Sequence, residues 1–257
     1  MVPLGEGCFV IAEHLGHPTT VDDGLEQLTV LAAATAAALG ISGVEGAPPP
    51  LDAIGAHLFA TLGFAGDADH YYDVRNSLLP DVLRRRCGIP ITLAIVVIEV
   101  ADRLGVHASG VGMPGHFLVG DGPAPQRWLD PFTGNWLDAT GAAGRFRAVH
   151  GAAASFDPSF LEPTPHPQIL ARVLANLAGV ERSAGDPCAL LRVLELRGDI
   201  PGVGGAPRAQ VELAEAYVSV GRVGDALAVL EALGERVDPR RREALASRMA
   251  VLRAGLN

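Results

Sequence analysis

The sequence contains no lysine, because all 20 of its basic residues are arginine. This absence excludes Schiff-base chemistry, a P-loop lysine and a lysine general base. The arginines are outnumbered by 29 acidic residues, which gives a formal net charge of −9. An acidic chain is poorly suited to bind phosphate backbones, so we expect no nucleic-acid partner.

Cysteine is scarce as well, and its three copies, Cys8, Cys87 and Cys188, are widely spaced. They form no Cys-x-x-Cys pair, and the histidines lack the spacing of metal ligands, so we expect no disulfide framework, no metal and no cofactor. This cysteine usage favours a reducing, cytoplasmic location. Cys8 and Cys188 fall within helical patterns and are predicted to be core residues.

No apolar run is long enough to cross a membrane. The longest, Ile89 to Val100, is interrupted by Thr92 and Glu99 and is shorter than the ~20 residues that a span requires. The N-terminus has no basic region and reaches Glu13 early, which argues against a signal peptide. We therefore expect a soluble protein with no membrane partner. Because 49% of its 257 residues are hydrophobic, the chain can form a large core.

Helical patterns dominate the first half of the chain. Helices are predicted over residues 21–39, 52–62, 78–86 and 90–104. Thr20 is a candidate cap for the first of these, and Asn76 for the third. The helix that begins at Pro90 is apolar on nearly every face, which predicts a central, buried helix.

After Gly105 the hydrophobic period changes to two, which is typical of strands. We predict an antiparallel hairpin in which residues 110–120 pair with residues 127–132. Together with the preceding helices, this small sheet predicts an α+β core domain over residues 1–150.

The second half of the chain is predicted to be helical and repetitive. Residues 141–167 are rich in alanine, glycine, proline and serine, which predicts a linker or a loop draped over the core. Beyond them the sequence repeats with an offset of 36 residues, and each copy predicts two helices around a glycine turn, close to a tetratricopeptide unit. The aligned pairs are Leu177/Leu213, Ala178/Ala214, Gly185/Gly221, Leu191/Leu227, Val193/Val229 and Leu194/Leu230. We therefore predict a linker over 151–165 and tetratricopeptide-like hairpins with a capping helix over 166–257.

Three residues with catalytic side chains are predicted to lie near one another. Cys87 precedes the buried helix, His116 lies on the first hairpin strand and Asp130 on the second. If the hairpin turns at residues 123–124, the residue opposite His116 is near 131, which places Asp130 within hydrogen-bonding reach. A carboxylate beside an imidazole fixes its tautomer and stabilises its charged form, as in a nucleophilic triad.

The start of the buried helix supplies further candidates. Its N-terminus and the arginines at 84–86 are predicted to lower the pKa of Cys87 and favour the thiolate. N–H groups of its first turn are candidate oxyanion donors. Asn76 and Thr92 are candidate substrate-binding residues, although Asn76 also fits a cap and Thr92 a bond to a helix carbonyl. Cys87 equally fits a small apolar filler.

Part of the sequence resembles bacterial transglutaminase-core proteins of the SirB type, which join a papain-like fold to tetratricopeptide-like repeats. The matching segments are YYDVRNSLLPDVLRRRCGIPITLAIVVIEVADRLG, GVGMPGHFLVG and WLDPFTG. The resemblance covers roughly residues 5–235 and implies acyl transfer or amide hydrolysis by a Cys-His-Asp site. His116 and Asp130 match the family positions. The family's nucleophile position falls on Pro90, and Cys87 lies three residues earlier.

Three functions follow from these residues. The first is cysteine-dependent acyl transfer or hydrolysis, in which Cys87 attacks a peptide, protein or small amide-containing substrate. The second is a catalytically inactive binding or scaffold module, favoured by Pro90, whose repeats dock a protein partner. The third is a thiol-independent acid–base enzyme that uses His116 and Asp130.

Overall fold

The computed structural model describes residues 3–41 and 48–255, which divide into two units between Val173 and Leu174. The first unit begins with helices and a short parallel sheet. These elements are α1 (Leu4–His14), α2 (Val21–Ala38), α3 (Leu51–Ala56), a π-helical turn (His57–Thr61), β1 (Ala65–Gly66), a 3-10 turn (Val74–Asn76), α4 (Leu79–Arg85), β2 (Cys87–Gly88) and α5 (Pro90–Arg103). The strands β1 and β2 pair in parallel, with Ala65 opposite Cys87.

The rest of the first unit is a four-stranded antiparallel sheet with helical segments after it. The strands are β3 (Ala108–Val111), β4 (Leu118–Asp121), β5 (Trp128–Asp130) and β6 (Asn135–Leu137), paired in that order. They are followed by α6 (Ala139–His150), a 3-10 turn (Pro158–Leu161) and α7 (His166–Ala184). This combination of helices with small sheets is compatible with the predicted α+β core.

The predicted central helix is confirmed as α5. Every residue from Pro90 to Ala101 is buried, because the apolar side chains cover all faces of the helix. The one acidic side chain among them, Glu99, accepts a hydrogen bond from the Gly5 N–H at 2.7 Å and pairs with Arg103 at 2.6 Å. The buried charge is therefore neutralised within the fold. No helix among the described residues is both long and apolar enough to span a bilayer.

The predicted long hairpin is only partly correct. Residues 110–120 do not form one strand, because a turn between β3 and β4 interrupts them and the two strands pair with each other. Gly115 has a positive φ of 74°, a conformation that extended strands do not contain. His116 therefore lies in the turn before β4 rather than on a strand. The pairing of β4 with β5 is confirmed, with Val119 opposite Leu129.

The segment after the sheet is more ordered than its composition predicts. Residues 139–150 form α6, capped by Asp138, which accepts a hydrogen bond from the Gly141 N–H at 2.7 Å. The following residues 151–165 were predicted as a linker, yet Phe156 and Phe160 pack against Phe146 of α6, with ring centroids 5.6 and 5.4 Å apart. The unit boundary accordingly falls later, within α7.

The second unit contains the C-terminal part of α7 and four further helices. They are α8 (Pro187–Gly198), α9 (Pro207–Ser219), α10 (Val223–Gly234) and α11 (Pro239–Ala254). Gly185 and Gly221, which the 36-residue offset aligns, both have positive φ and lie in the turns after α7 and α9. The repeated halves are thus helix pairs, and their assignment to the tetratricopeptide class stays a prediction.

Candidate functional site

The His116–Asp130 contact expected from the sequence is present. His116 Nε2 lies 2.9 Å from Asp130 Oδ1, and the Asp130 side chain at the end of β5 is fully buried. The Phe132 N–H donates to the same oxygen at 3.0 Å, and Arg145 of α6 donates to Oδ2 at 2.5 Å. Both carboxylate oxygens are therefore hydrogen-bonded.

These contacts set the charge of Asp130 and the orientation of His116. Burial opposes ionisation, but the hydrogen bond and charge of His116, the charge of Arg145 and the Phe132 N–H together lower the pKa of Asp130. An ionised Asp130 is only an acceptor, so the proton of a neutral imidazole is assigned to Nε2. Within the described residues Nδ1 has no hydrogen-bond partner, which leaves it available to a ligand.

The turn that carries His116 is held from α7. Arg172 donates to the carbonyls of Met113 and His116, at 3.2 and 3.1 Å, and its guanidinium lies 5.3 Å from the centroid of the Phe117 ring. Burial lowers the pKa of Arg172, a group whose ordinary value is so high that it stays charged. Arg172 is therefore a positioning residue for the imidazole.

Cys87 lies in a different environment from the one that the sequence predicts. Burial and the charge of Asp67 raise the pKa of the Cys87 thiol, and the opposing effect of Arg85 is smaller. The predicted lowering of this pKa is wrong because burial and the charge of Asp67 outweigh Arg85, while Arg84 is paired with Asp81. Among the described residues, no hydrogen bond joins the thiol to the imidazole of the His–Asp pair.

Asn76 belongs to a buried network beside Cys87. Its amide nitrogen donates to Asp67 Oδ2 at 3.1 Å and to the His70 carbonyl at 2.8 Å, while its oxygen accepts from Arg85 at 2.9 Å. Arg85 also reaches Asp67 Oδ2 at 3.2 Å. Asn76 thus holds the loop of residues 67–76 and caps no helix. The side chain of Asn76 is fully buried. Its role in substrate binding stays a prediction.

Thr92 is also buried, at the start of α5. Its hydroxyl donates to the Asn76 carbonyl at 2.7 Å and accepts from the Ile89 N–H at 3.2 Å. The threonine therefore connects the cap of α5 to the loop network, and direct substrate contact by Thr92 stays a prediction. Because Ile89 N–H is bonded internally, it is not a free oxyanion donor.

An exposed aromatic group lies next to the His–Asp pair. The Gly66 N–H donates to the Phe132 carbonyl at 3.2 Å, and a Cβ at Gly66 would lie 2.2 Å from the Phe132 ring, so only glycine allows this contact. The Tyr71 ring lies 6.2 Å from that of Phe132 and 5.3 Å from that of Tyr72. We call Tyr71, Tyr72 and Phe132 the aromatic rim. Tyr71 is 39% and Tyr72 77% exposed.

Sequence reasoning missed several residues that shape the site. Arg145 lies on α6, a helix that the alanine- and glycine-rich composition of this segment does not suggest. The capping residue Asp138 is a signal that could have revealed it. Asp67 and Arg172 are far from the motif residues in sequence and gave no signal. The exposed Cys188 was wrongly predicted to be in the core, whereas the prediction for Cys8 is confirmed.

The comparisons with known proteins identify the family. The family model described as the transglutaminase-like superfamily matches residues 22–175, which is more than half of the chain. The chain belongs to the transglutaminase-like superfamily. Both members of the His–Asp pair lie within the matched residues, and the superfamily part of the predicted resemblance is confirmed.

Related proteins occur in bacteria and in mammals. The chain is similar to a UPF0162 protein of Xylella fastidiosa strain Temecula1, with 45% identity over 52% of this chain and 49% of that protein. A UPF0162 protein of Pseudomonas aeruginosa is 36% identical over 52% of this chain and 51% of its own length. F-box only protein 21 of Mus musculus is 39% identical over 34% of this chain and 13% of that protein.

These relatives match only a segment. The chain spans about half the length of the first two relatives it matches. No solved structure matches it. The superfamily is therefore established by sequence, and the SirB-type and repeat assignments stay predictions.

Proposed function

We propose that this chain binds an amide-containing ligand, such as a peptide, at the His116–Asp130 pair without forming a thioester. The observation that carries this proposal is the state of Cys87. Its thiol has a raised pKa and lies beside the carboxylate of Asp67, so little thiolate forms near neutral pH. Pro90, which begins α5 at the position where the resemblance places a nucleophile, has no reactive side chain.

The proposed ligand is held by the features next to the imidazole. His116 Nδ1 would accept a hydrogen bond from a ligand N–H, because Asp130 fixes the proton on Nε2. The aromatic rim supplies exposed ring surface for an apolar side chain of the ligand. Together they favour a peptide-like ligand that offers an amide and an apolar group.

A second candidate function is acid–base catalysis by the same pair without a thiol. The observation that favours it is the complete set of partners around Asp130, which keeps a buried carboxylate charged beside an imidazole. Such a pair can accept a proton at Nδ1 and stabilise the resulting imidazolium. This candidate and simple binding differ only in whether the ligand is converted.

Alkylation distinguishes both candidates from cysteine-dependent acyl transfer. The full chain is treated with iodoacetamide at pH 7, and labelling of each cysteine is followed by mass spectrometry. The exposed Cys188 is the internal reference, and we expect it to label faster than Cys87, with the buried Cys8 the slowest. Labelling of Cys87 faster than Cys188, and slowed by His116→Ala, would establish an activated thiolate and overturn the proposal.

Ligand binding is tested with blocked tetrapeptides, which carry amides but no terminal charges. Binding to the full chain is followed by the NMR shifts of the His116 ring, and the same samples are analysed for cleavage products. We expect binding that is lost in His116→Ala and retained in the control His107→Ala, an exposed histidine elsewhere in the first unit. Cleavage that persists in Cys87→Ala would select the acid–base candidate. Equal binding by both histidine variants would refute a role for the pair.

A further inference from the structure

A cavity of about 1000 Å³ opens on the first unit between α2 and α4. The helix α1 packs against both of them, so α2 and α4 form two walls of an open groove. The described lining of this groove contains none of Cys87, His116 and Asp130. The groove is therefore separate from the site discussed above, and its size is within the range of ligand-binding cavities.

One wall is a single face of α2. The residues of this wall recur at helical spacing: Asp23, Glu26, Gln27, Val30, Leu31 and Ala34. From Asp23 to Ala34 the wall is about 16 Å long, because a helix rises about 1.5 Å per residue. Val30 is 61% exposed and presents apolar surface to the groove. The wall is acidic at its N-terminal end and apolar beyond it.

The other wall carries a cation in an uncommon backbone conformation. Leu83 and Arg86 line it, with Leu62 and Phe64 at the base of the groove. Arg86 is the one residue other than glycine with positive φ, at 55°, in the described parts of the chain. Its guanidinium donates to the Leu62 carbonyl at 2.8 Å, which fixes the side chain over the groove. This left-handed conformation is that of the cap which ends α4, where the Arg86 N–H donates to the Val82 carbonyl at 2.8 Å.

The two walls carry opposite charges that do not neutralise each other. Within residues 3–41 and 48–255, neither Glu26 nor Arg86 takes part in a salt bridge. The nearby Arg84 is paired with Asp81, whose Oδ2 also lies 3.5 Å from His17 Nε2. An occupant that completes this surface therefore needs a basic group near Glu26, an acidic group near Arg86 and apolar groups between them.

We infer that this groove docks an amphipathic helix of a partner protein, with its apolar stripe on Val30, Leu31 and Leu83. Amphipathic helices bind in grooves of this kind through an apolar stripe. The partner helix carries a lysine or arginine at the end near Glu26 and an aspartate or glutamate at the end near Arg86. This interaction is independent of the proposed ligand site.

The test uses three fluorescent 15-residue helical peptides that share one leucine stripe. The first has glutamates at its N-terminal end and arginines at its C-terminal end, the second has the reverse order, and the third has glutamines at all these positions. Binding to the full chain is measured by anisotropy. We expect one charged order to bind at least about tenfold more tightly than the glutamine peptide. Equal binding of all three peptides, or no binding, would overturn the inference.

Two variants locate the binding site. Arg86→Gly suits the positive φ and removes the cation together with its exposed bond to the Leu62 carbonyl, so it should fold and lose about tenfold in affinity for the preferred peptide. Val30→Asp should abolish binding of that peptide, while the control Arg147→Ala, an exposed arginine on α6, should not change it. Circular dichroism checks that each variant is folded. Unchanged affinity in both groove variants would overturn the inference.

Sedimentation of the full chain tests whether the groove is instead occupied by a second copy of this chain. A second copy of this chain would cover the groove in a dimer, and Val30→Asp would then convert that dimer into a monomer. This result would assign the groove to self-association and overturn docking of a partner helix. We expect the sedimentation of the full chain to be the same with and without the substitution.

Discussion

Two aspartates in the first unit, Asp130 and Asp67, act on their neighbours in opposite ways. The Asp130 carboxylate accepts a hydrogen bond from His116 Nε2 and so fixes the proton on that ring nitrogen. Asp67 lies beside Cys87 and raises the pKa of the thiol, while its hydrogen bonds support the loop of residues 67–76. The contacts of Asp130 thus orient the imidazole of His116, whereas those of Asp67 support loop structure beside Cys87.

The largest expected effect is the loss of the Asp130 carboxylate. Asp130→Ala leaves a buried imidazole and the Arg145 guanidinium without their partner, and we expect the free energy of unfolding to fall by about 3–5 kcal/mol. Urea denaturation measures this change. The control Asp121→Ala removes a more exposed ion pair with Arg127 and should cost about 0–1 kcal/mol. Equal losses in the two variants would contradict the central place given to Asp130.

A smaller effect is expected at Thr92, which connects the loop of residues 67–76 to the start of α5. Thr92→Val preserves the shape but removes the hydroxyl that bonds the Asn76 carbonyl and the Ile89 N–H, so unfolding should become easier by about 1–3 kcal/mol. Thr92→Ser retains the hydroxyl and should recover most of that stability. The same denaturation curves decide the outcome, and a valine variant as stable as the serine variant would show that these bonds are unimportant.

The pH dependence tests whether Asp130 is ionised. Its pKa in the folded protein is below the ordinary value, so the folded state binds fewer protons and the contribution of Asp130 to stability is complete above about pH 4. That contribution is lost as the pH falls through the folded pKa. We expect the stability difference between the natural chain and Asp130→Asn to shrink below pH 4. A difference that stays constant from pH 7 to pH 3 would mean that folding does not shift the pKa of Asp130, and a difference that grows as the pH falls from 7 to 4 would mean that its pKa is raised.

The smallest expected effect is that of Cys87→Ala. The thiol is small and partly exposed, so its removal should change the free energy of unfolding by less than about 1 kcal/mol. Peptide binding should stay the same, and thermal and urea unfolding measure the stability. A loss of peptide binding equal to that in His116→Ala would show that Cys87 and the His–Asp pair act as one functional unit.

The sequence predicts the elements whose signals are local and strong. The apolar run after Pro90 specifies α5, and Thr20 caps α2 by accepting from the Asp23 N–H at 3.2 Å. The 14-residue spacing of His116 and Asp130 also leads to the observed contact, because a turn between two paired strands brings such residues together. These predictions depend on short-range pattern and on hairpin geometry, both of which a single sequence contains.

What the sequence does not reveal depends on long-range packing. Arg145 reaches Asp130 only because α6 folds back beside the sheet, and Arg172 reaches the turn of His116 from α7. The pKa of Cys87 was predicted with the wrong sign because three consecutive arginines suggested a positive environment. Each of them is instead directed to a carboxylate or carbonyl elsewhere, as Arg85 is to Asp67. Burial of the thiol and the charge of Asp67, neither of which residue spacing reveals, decide the sign of this shift.

Proline at the first position of α5 lacks two chemical groups that acyl transfer uses. It supplies neither a sulfur or hydroxyl to attack a carbonyl nor a main-chain donor to stabilise the oxyanion that such an attack creates. The start of α5 therefore lacks both a nucleophile and one main-chain donor of the pattern that the family resemblance implies at this position.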